Sequence, residues 1–339
     1  MSAAGRPAEG AAARAGAAVD FAALAGQRVL VTGASGFIGA HLTRALVRHG
    51  AAVSVLLRPS SQLHKLQALA DRLTVLRADL CDPVALAQAV DQARPRYAFH
   101  LAAFTNVGRD RSHDEMALNV NLIGTVRLVN ALADAGVQRI VNSGTCEEYG
   151  DAEPPVTEAA RLRPVSPYSA SKAAASMWCE MAHRARGVPV VTLRPFLSYG
   201  PEQEAVRLIP QAILAALHQR DFPMTLGEQT REFTHVDDMV DGYLRAALVP
   251  GIEGEIFNLS SGEETSVRDA VALIFQLANS RGQPQFGLLK YREAELWRCC
   301  GDASRARETL GWQPRIVFAD GIKQVIPWYR QALADATVM

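Results

Sequence analysis

Val29-Leu-Val-Thr-Gly-Ala-Ser-Gly-Phe-Ile-Gly-Ala40 decides the fold of this chain. A β-branched run, Val29 to Thr32, stops at three glycines spaced three apart, Gly33, Gly36 and Gly39. A helical pattern of Phe37, Ile38, Leu42, Ala45 and Leu46 begins at once. Strand, glycine turn and helix in that order open a βαβ dinucleotide site. Gly33 permits the sharp turn, Gly36 lets the backbone approach a pyrophosphate, and Gly39 lets the helix pack on the strand. Amides at the helix start then face the diphosphate charge. Ser35, Phe37 and Ile38 lie within this turn and belong to the same set of candidate cofactor contacts. The spacing departs from G-x-G-x-x-G, and three glycines alone also suit a structural turn. The position between strand and helix is what favours the cofactor.

Downstream, strands alternate with helices. A second strand at 52–57 closes on Leu57 and Arg58, where an NAD site commonly carries an acidic side chain and an arginine suits a 2′-phosphate. NADP is therefore favoured over NAD, the bland alternative being that Arg58 is a solvated loop charge. A strand at 73–77 runs into Asp79 and Leu80, with Asp79 placed for the adenine amino group. A strand at 97–101 ends at Leu101, Ala102 and Ala103, small enough for a cofactor to lie close. Helices at 83–93, 114–135 and 167–185 and strands at 139–143 and 188–193 complete the pattern. The fold class is α/β, a Rossmann-type doubly wound parallel sheet that binds at the carboxyl ends of its strands.

Beyond Pro195 shorter elements, including helices at 205–220 and 266–278, indicate a smaller C-terminal substrate-binding lobe. The expected division is a disordered Ala-rich tail over 1–24, a dinucleotide-binding domain over 25–195, and a substrate lobe over 196–335. Segments near 234–262 are expected to return to the first domain.

The 339 residues can bury a sizeable core, and 35 basic side chains balance 35 acidic ones, which argues against nucleic acid as a partner. No apolar run approaches the ~20 residues that span a bilayer, so no membrane is expected. The tail carries Arg6 and Arg14 without the apolar stretch of a secretory signal. Five cysteines, odd in number and without metal spacing, read as reduced thiols in a cytoplasmic protein with no metal.

Tyr168-Ser-Ala-Ser-Lys172 puts a phenol and an ammonium on one helical face. A free tyrosine ionises near pH ~10, and a neighbouring cation favours the phenolate, bringing it toward exchange with a sugar hydroxyl. Before it, Asn142-Ser-Gly-Thr-Cys-Glu-Glu-Tyr-Gly150 leaves the end of the fifth strand. Thr145 is placed to bond the same hydroxyl, and Glu147, two residues on, to remove a proton beside a ketone. Glu148 reads as a solvated charge.

Together these motifs resemble the extended short-chain dehydrogenase/reductases, in particular the nucleotide-sugar epimerase/dehydratase branch, over nearly everything after the tail. The resemblance implies catalytic roles for Thr145, Tyr168 and Lys172, the last two also touching the cofactor. It implies a supporting role for Asn121, ahead of Gly124-Thr125, and a diphosphate contact for Arg231, with a second at Arg292. Leu197, in Arg194-Pro-Phe-Leu-Ser-Tyr-Gly-Pro201, stands where the branch usually has Asn, so the resemblance does not carry that diphosphate contact over.

The implied reaction is hydride transfer at carbon 4 of a nucleotide-diphosphate sugar, internal redox of the 4,6-dehydratase or epimerase kind. Glu147 fits the base at carbon 5, while Cys146 stands where some dehydratases carry the Asp acid. Glu-Glu-Tyr-Gly also looks like the NADPH-dependent 4-keto-6-deoxysugar reductases, and a non-catalytic NADP sensor is a further alternative. Helices 114–135 and 167–185 resemble those of the branch's dimer interface, which implies a homodimer.

Overall fold

The computed structural model describes residues 19–291 and 295–335; the first 18 residues and Arg292 lie outside the described residues. Seven parallel strands form one sheet: β1 (Arg28–Thr32), β2 (Ala52–Leu57), β3 (Leu73–Arg77), β4 (Tyr97–His100), β5 (Arg139–Ser143), β6 (Val190–Pro195) and β7 (Ile256–Leu259). Their order is β7-β6-β5-β4-β1-β2-β3. The order reverses beside β1, which pairs with β2 on one side and β4 on the other. At such a switch point the loops leave in opposite directions and open a crevice at the strand ends.

Alternation along β1 serves two cores. Val29 and Val31 face one layer with α1 (Phe37–Arg48), while Leu30 faces the other with α2 (Pro83–Ala93). A helical run over 114–134, α3, lies on the α2 side, followed by α4 (Pro167–Arg186). Three chain features bound α4: a Ser166 cap reciprocated by Ser169, Pro167 in the first turn, and Gly187 at φ +68°. Pro189 offers no amide to the sheet, which is why β6 starts at Val190 and not at 188.

Within α3, Leu118–Ile123 widens into a π turn that carries Asn121. The stretch Arg111–Asp134 is long and apolar enough to cross a membrane by length and composition, contrary to the expectation that none would be. Here it packs along α4, and its Asn121 and Thr125 are buried in hydrogen bonds.

Past β6, α5 (Leu208–Leu217), α7 (Val267–Leu277) and α8 (Phe318–Ala334) share a separate apolar cluster. Between them, α6 (Val236–Leu248) packs on the sheet beside α1, and β7 extends the sheet next to β6. α5 is shorter than the sequence pattern, its end marked by Gln219 at φ 57°.

Candidate active site

Gly33 sits at φ +72°, and a Cβ there would come within 2.6 Å of the Ala102 amide nitrogen. A Cβ at Gly39 would come within 2.1 Å of the Gly33 carbonyl. Both positions therefore accept only hydrogen. Gly36 caps α1 without any side-chain hydrogen bond, which leaves the helix's first amides for an anion.

These amides open into a cavity of about 1750 Å³ that continues under the C-terminal lobe. A pocket for one ligand is ~300–1,000 Å³, so this one has room for two. Gly33, Ser35, Gly36, Phe37, Ile38, Gly39, Arg58, Asp79, Leu80, Leu101, Ala102 and Ala103 all line its N-terminal half. Arg77 shapes the lip by donating to the carbonyls of Arg58 (3.2 Å), Pro59 (3.1 Å) and Ser61 (2.8 Å). Asp79 accepts from the Cys81 amide at 2.8 Å.

Thr145, Glu147, Tyr168 and Lys172 meet at the middle of the same cavity. Thr145 caps the short turn Cys146–Tyr149, its side chain accepting from the Glu147 amide at 3.3 Å, and it lines the cavity with the Tyr168 phenol. Burial pushes that phenol up, Glu147 and Glu148 act in the same sense, and Thr145 opposes them. Lys172 is buried and donates to the Ser143 carbonyl. The expectation that its charge draws the phenol down is thus corrected. The amine is committed to a carbonyl on β5, its own affinity for a proton is lowered by burial, and desolvation dominates at the ring oxygen.

Glu147 lines the cavity; burial raises its carboxyl, while Arg231, Arg207 and Arg109 pull it down. Glu148 is not solvated. It is 0 % exposed and ion-paired with Arg194 at 2.8 Å, because the turn that lifts Glu147 into the cavity turns its neighbour inward. The Cys146 thiol packs in the cluster that holds Cys299 and is held well above its usual range, first by Cys299 and then by burial.

Asn121 does not reach the cavity wall. It stands behind Phe104, accepting from its amide at 2.7 Å, donating to its carbonyl at 3.0 Å and to Ser171 at 3.0 Å. Arg231 lines the cavity and pairs with Glu295 at 2.8 Å; Leu197 lines it too. Arg292 lies outside the described residues, and among those described no group of three metal-ligating side chains occurs.

The sequence reading missed His100, which ends β4 inside the core. Thr125 donates to the Asn121 carbonyl (2.6 Å), so its oxygen must accept from His100 Nε2 (2.9 Å). His100 Nδ1 then accepts from Thr32 (2.8 Å), whose oxygen accepts from the Ala102 amide (3.2 Å). The direction of every proton is fixed, and burial pushes the ring down to about 3. A polar residue closing an apolar strand was the available signal. Arg207, Thr225 and Gln229 of the second lobe also line the cavity without a motif to mark them.

The family model described as GDP-mannose 4,6 dehydratase matches residues 30–325. The chain belongs to the nucleotide-sugar epimerase/dehydratase family of extended short-chain dehydrogenase/reductases. Within this family it is 33% identical over 315 residues to a UDP-glucose 4-epimerase of Mycolicibacterium smegmatis, covering 89% of this chain and 98% of the relative. It is 31% identical over 330 residues to a dTDP-glucose 4,6-dehydratase of Haemophilus influenzae, covering 89% and 97%. A dTDP-glucose 4,6-dehydratase from Streptomyces venezuelae, solved with NAD bound, superposes with a TM-score of 0.81 at 30% identity, covering 91% and 98%. The resemblance drawn from the motifs is borne out, and so is the Rossmann-type parallel sheet. These epimerase/dehydratase relatives are named enzymes of dehydratase and epimerase type.

Proposed function

We propose that this protein oxidises carbon 4 of a nucleotide-diphosphate sugar and returns the hydride within the same turnover, in a reaction of 4,6-dehydratase or epimerase type. The observation that carries this reading is that Thr145, Tyr168 and Lys172 line one cavity with the glycine turn, with Lys172 fastened to the Ser143 carbonyl at the end of β5. A bound nicotinamide supplies the hydride acceptor. Tyr168, whose phenolate the positive charge of a bound oxidised nicotinamide would favour against burial, takes the proton of the carbon-4 hydroxyl, Thr145 orients that hydroxyl, and Lys172 fixes the face of α4 that presents the phenol. Glu147, whose carboxyl burial makes more basic, is suited to exchange a proton at carbon 5. Cys146 is a poor acid for carbon 6, because Cys299 and burial hold its thiol well above its usual range.

The glycine-turn half holds the dinucleotide, through the residues from Gly33 to Gly39 and the loops ending in Asp79, Leu80, Leu101, Ala102 and Ala103. NADP is favoured over NAD, since the lip at the end of β2 carries Arg58 and no carboxylate. Arg231, with Arg207, suits the substrate diphosphate; a guanidinium fork matches phosphate oxygens. Met116, Leu118 and Ile123 on α3 and Met177 and Met181 on α4 are exposed, which supports a homodimer through these two helices. All five cysteines are free, in keeping with the reducing cytoplasm. Incubation with a panel of nucleotide sugars and either dinucleotide, with mass analysis of the products, tests the reading; no turnover of any sugar would refute it.

A further inference from the structure

Resting on the reaction proposed above, we infer that Glu148 is a positioning residue: its buried carboxylate seats Thr145 and supplies the negative charge that faces the Lys172 ammonium. One oxygen accepts from the Thr145 amide at 3.0 Å and from the Ser176 hydroxyl at 2.9 Å; the other accepts from Arg194 Nε at 2.8 Å. Every neighbour offers it a donor, so the group is held as a carboxylate although burial alone works against that.

The placement ties it to the reacting groups from two sides. Ser176 lies one helical turn beyond Lys172 on α4. The first oxygen also lies over Gly144, where a Cβ would come within 2.6 Å, and the preceding carbonyl, that of Ser143, takes the Lys172 hydrogen bond. Arg194 is anchored in turn: it donates to the Tyr149 hydroxyl at 2.9 Å and stacks 4.7 Å over that ring, and Tyr149 donates to Asn258 on β7 at 2.7 Å. A single buried carboxylate thus couples β6 and β7 to the loop and helix that carry Thr145 and Lys172.

The titratable and charged groups around Lys172 are few. Glu148 on the loop and Cys179 on α4 favour its charge; His100 on β4 is neutral; Tyr168 shares its helix. Burial works against the ammonium, and Glu148 leads the opposition to it. Removing the carboxylate must therefore release the Lys172 proton at lower pH.

Competitive acetylation of the lysines with acetic anhydride across a pH series, read by mass spectrometry, reports the Lys172 midpoint without requiring turnover. The variants are Glu148→Gln, Arg194→Met, and the double variant Glu148→Val with Arg194→Leu, which avoids stranding a buried guanidinium. The expected result is a midpoint about one pH unit lower in both Glu148 variants, ~tenfold in reactivity at fixed pH, and none lower in Arg194→Met. An unmoved midpoint in the double variant, or an equal drop in Arg194→Met, would overturn the assignment. Failure of the wild type to convert any nucleotide sugar would instead refute the proposed reaction and leave the labelling result standing.

Discussion

The Lys172 ammonium donates to the backbone carbonyl of Ser143 on the last residue of β5, so α4 is pinned to the strand whose loop carries Thr145. The phenol and Thr145 are thereby fixed relative to one another by a sheet and a helix, not by a loop alone. Rigid placement of this kind is a sizeable part of what a hydride-transfer site asks of its protein.

Tyr168→Phe keeps the ring and removes the proton-bearing oxygen. Turnover should fall by ~10²–10⁴-fold while dinucleotide affinity, measured by titration calorimetry, stays within a few-fold. Retained activity would remove the phenol from the chemistry.

Glu147→Gln separates the two reaction types. Its carboxylate is placed for proton exchange at carbon 5, which only dehydration requires. A dehydratase should lose ~10²-fold or more, whereas a carbon-4 epimerase should keep most of its rate in the same product assay.

Arg58→Asp reverses the charge at the lip beyond β2. The ratio of kcat/KM for NADP over NAD, or of the two binding constants, should drop by at least ~tenfold. An unchanged ratio would make Arg58 a solvated charge.

His100 links stability to pH with a definite sign. Its folded-state pKa of about 3 lies below the unfolded value of 6.5, so the unfolded chain binds the extra proton between them. Stability from this ring is full above pH 6.5 and lost as pH falls toward 3, about 2 kcal/mol of it between pH 7 and pH 5. Denaturant unfolding of wild type and His100→Gln at both pH values should show that difference in the wild type only.

Met177→Glu puts a charge into the exposed apolar strip of α4, where Met177 is 61% exposed. Light scattering should then give a monomer where the wild type gives a dimer; a wild-type monomer would end the proposal of a dimer.

The first half of the fold was legible because each βα unit repeats the same two periods, with punctuation at Gly33, Asp79 and Ala102. Tyr168 and Lys172 were legible for the same reason, being four apart on one helix. Glu148 was not: adjacent acidic residues look alike in a sequence, and only the tight turn after Thr145 sends one into the cavity and the other into the core. His100 was hidden likewise, since its partners Thr32 and Thr125 come from separate elements. The electrostatic effect of Lys172 on Tyr168 was misjudged because spacing gives proximity but not where an ammonium points.

The most direct test of the central claim is rapid mixing of the oxidised-dinucleotide form with the nucleotide sugar it converts, following reduced-nicotinamide absorbance and product together. Internal redox through Tyr168 predicts a transient reduced signal that decays as product forms, with many turnovers per bound dinucleotide and no added reductant. A stoichiometric demand for NADPH, or product formed without any reduced nicotinamide appearing, would contradict it.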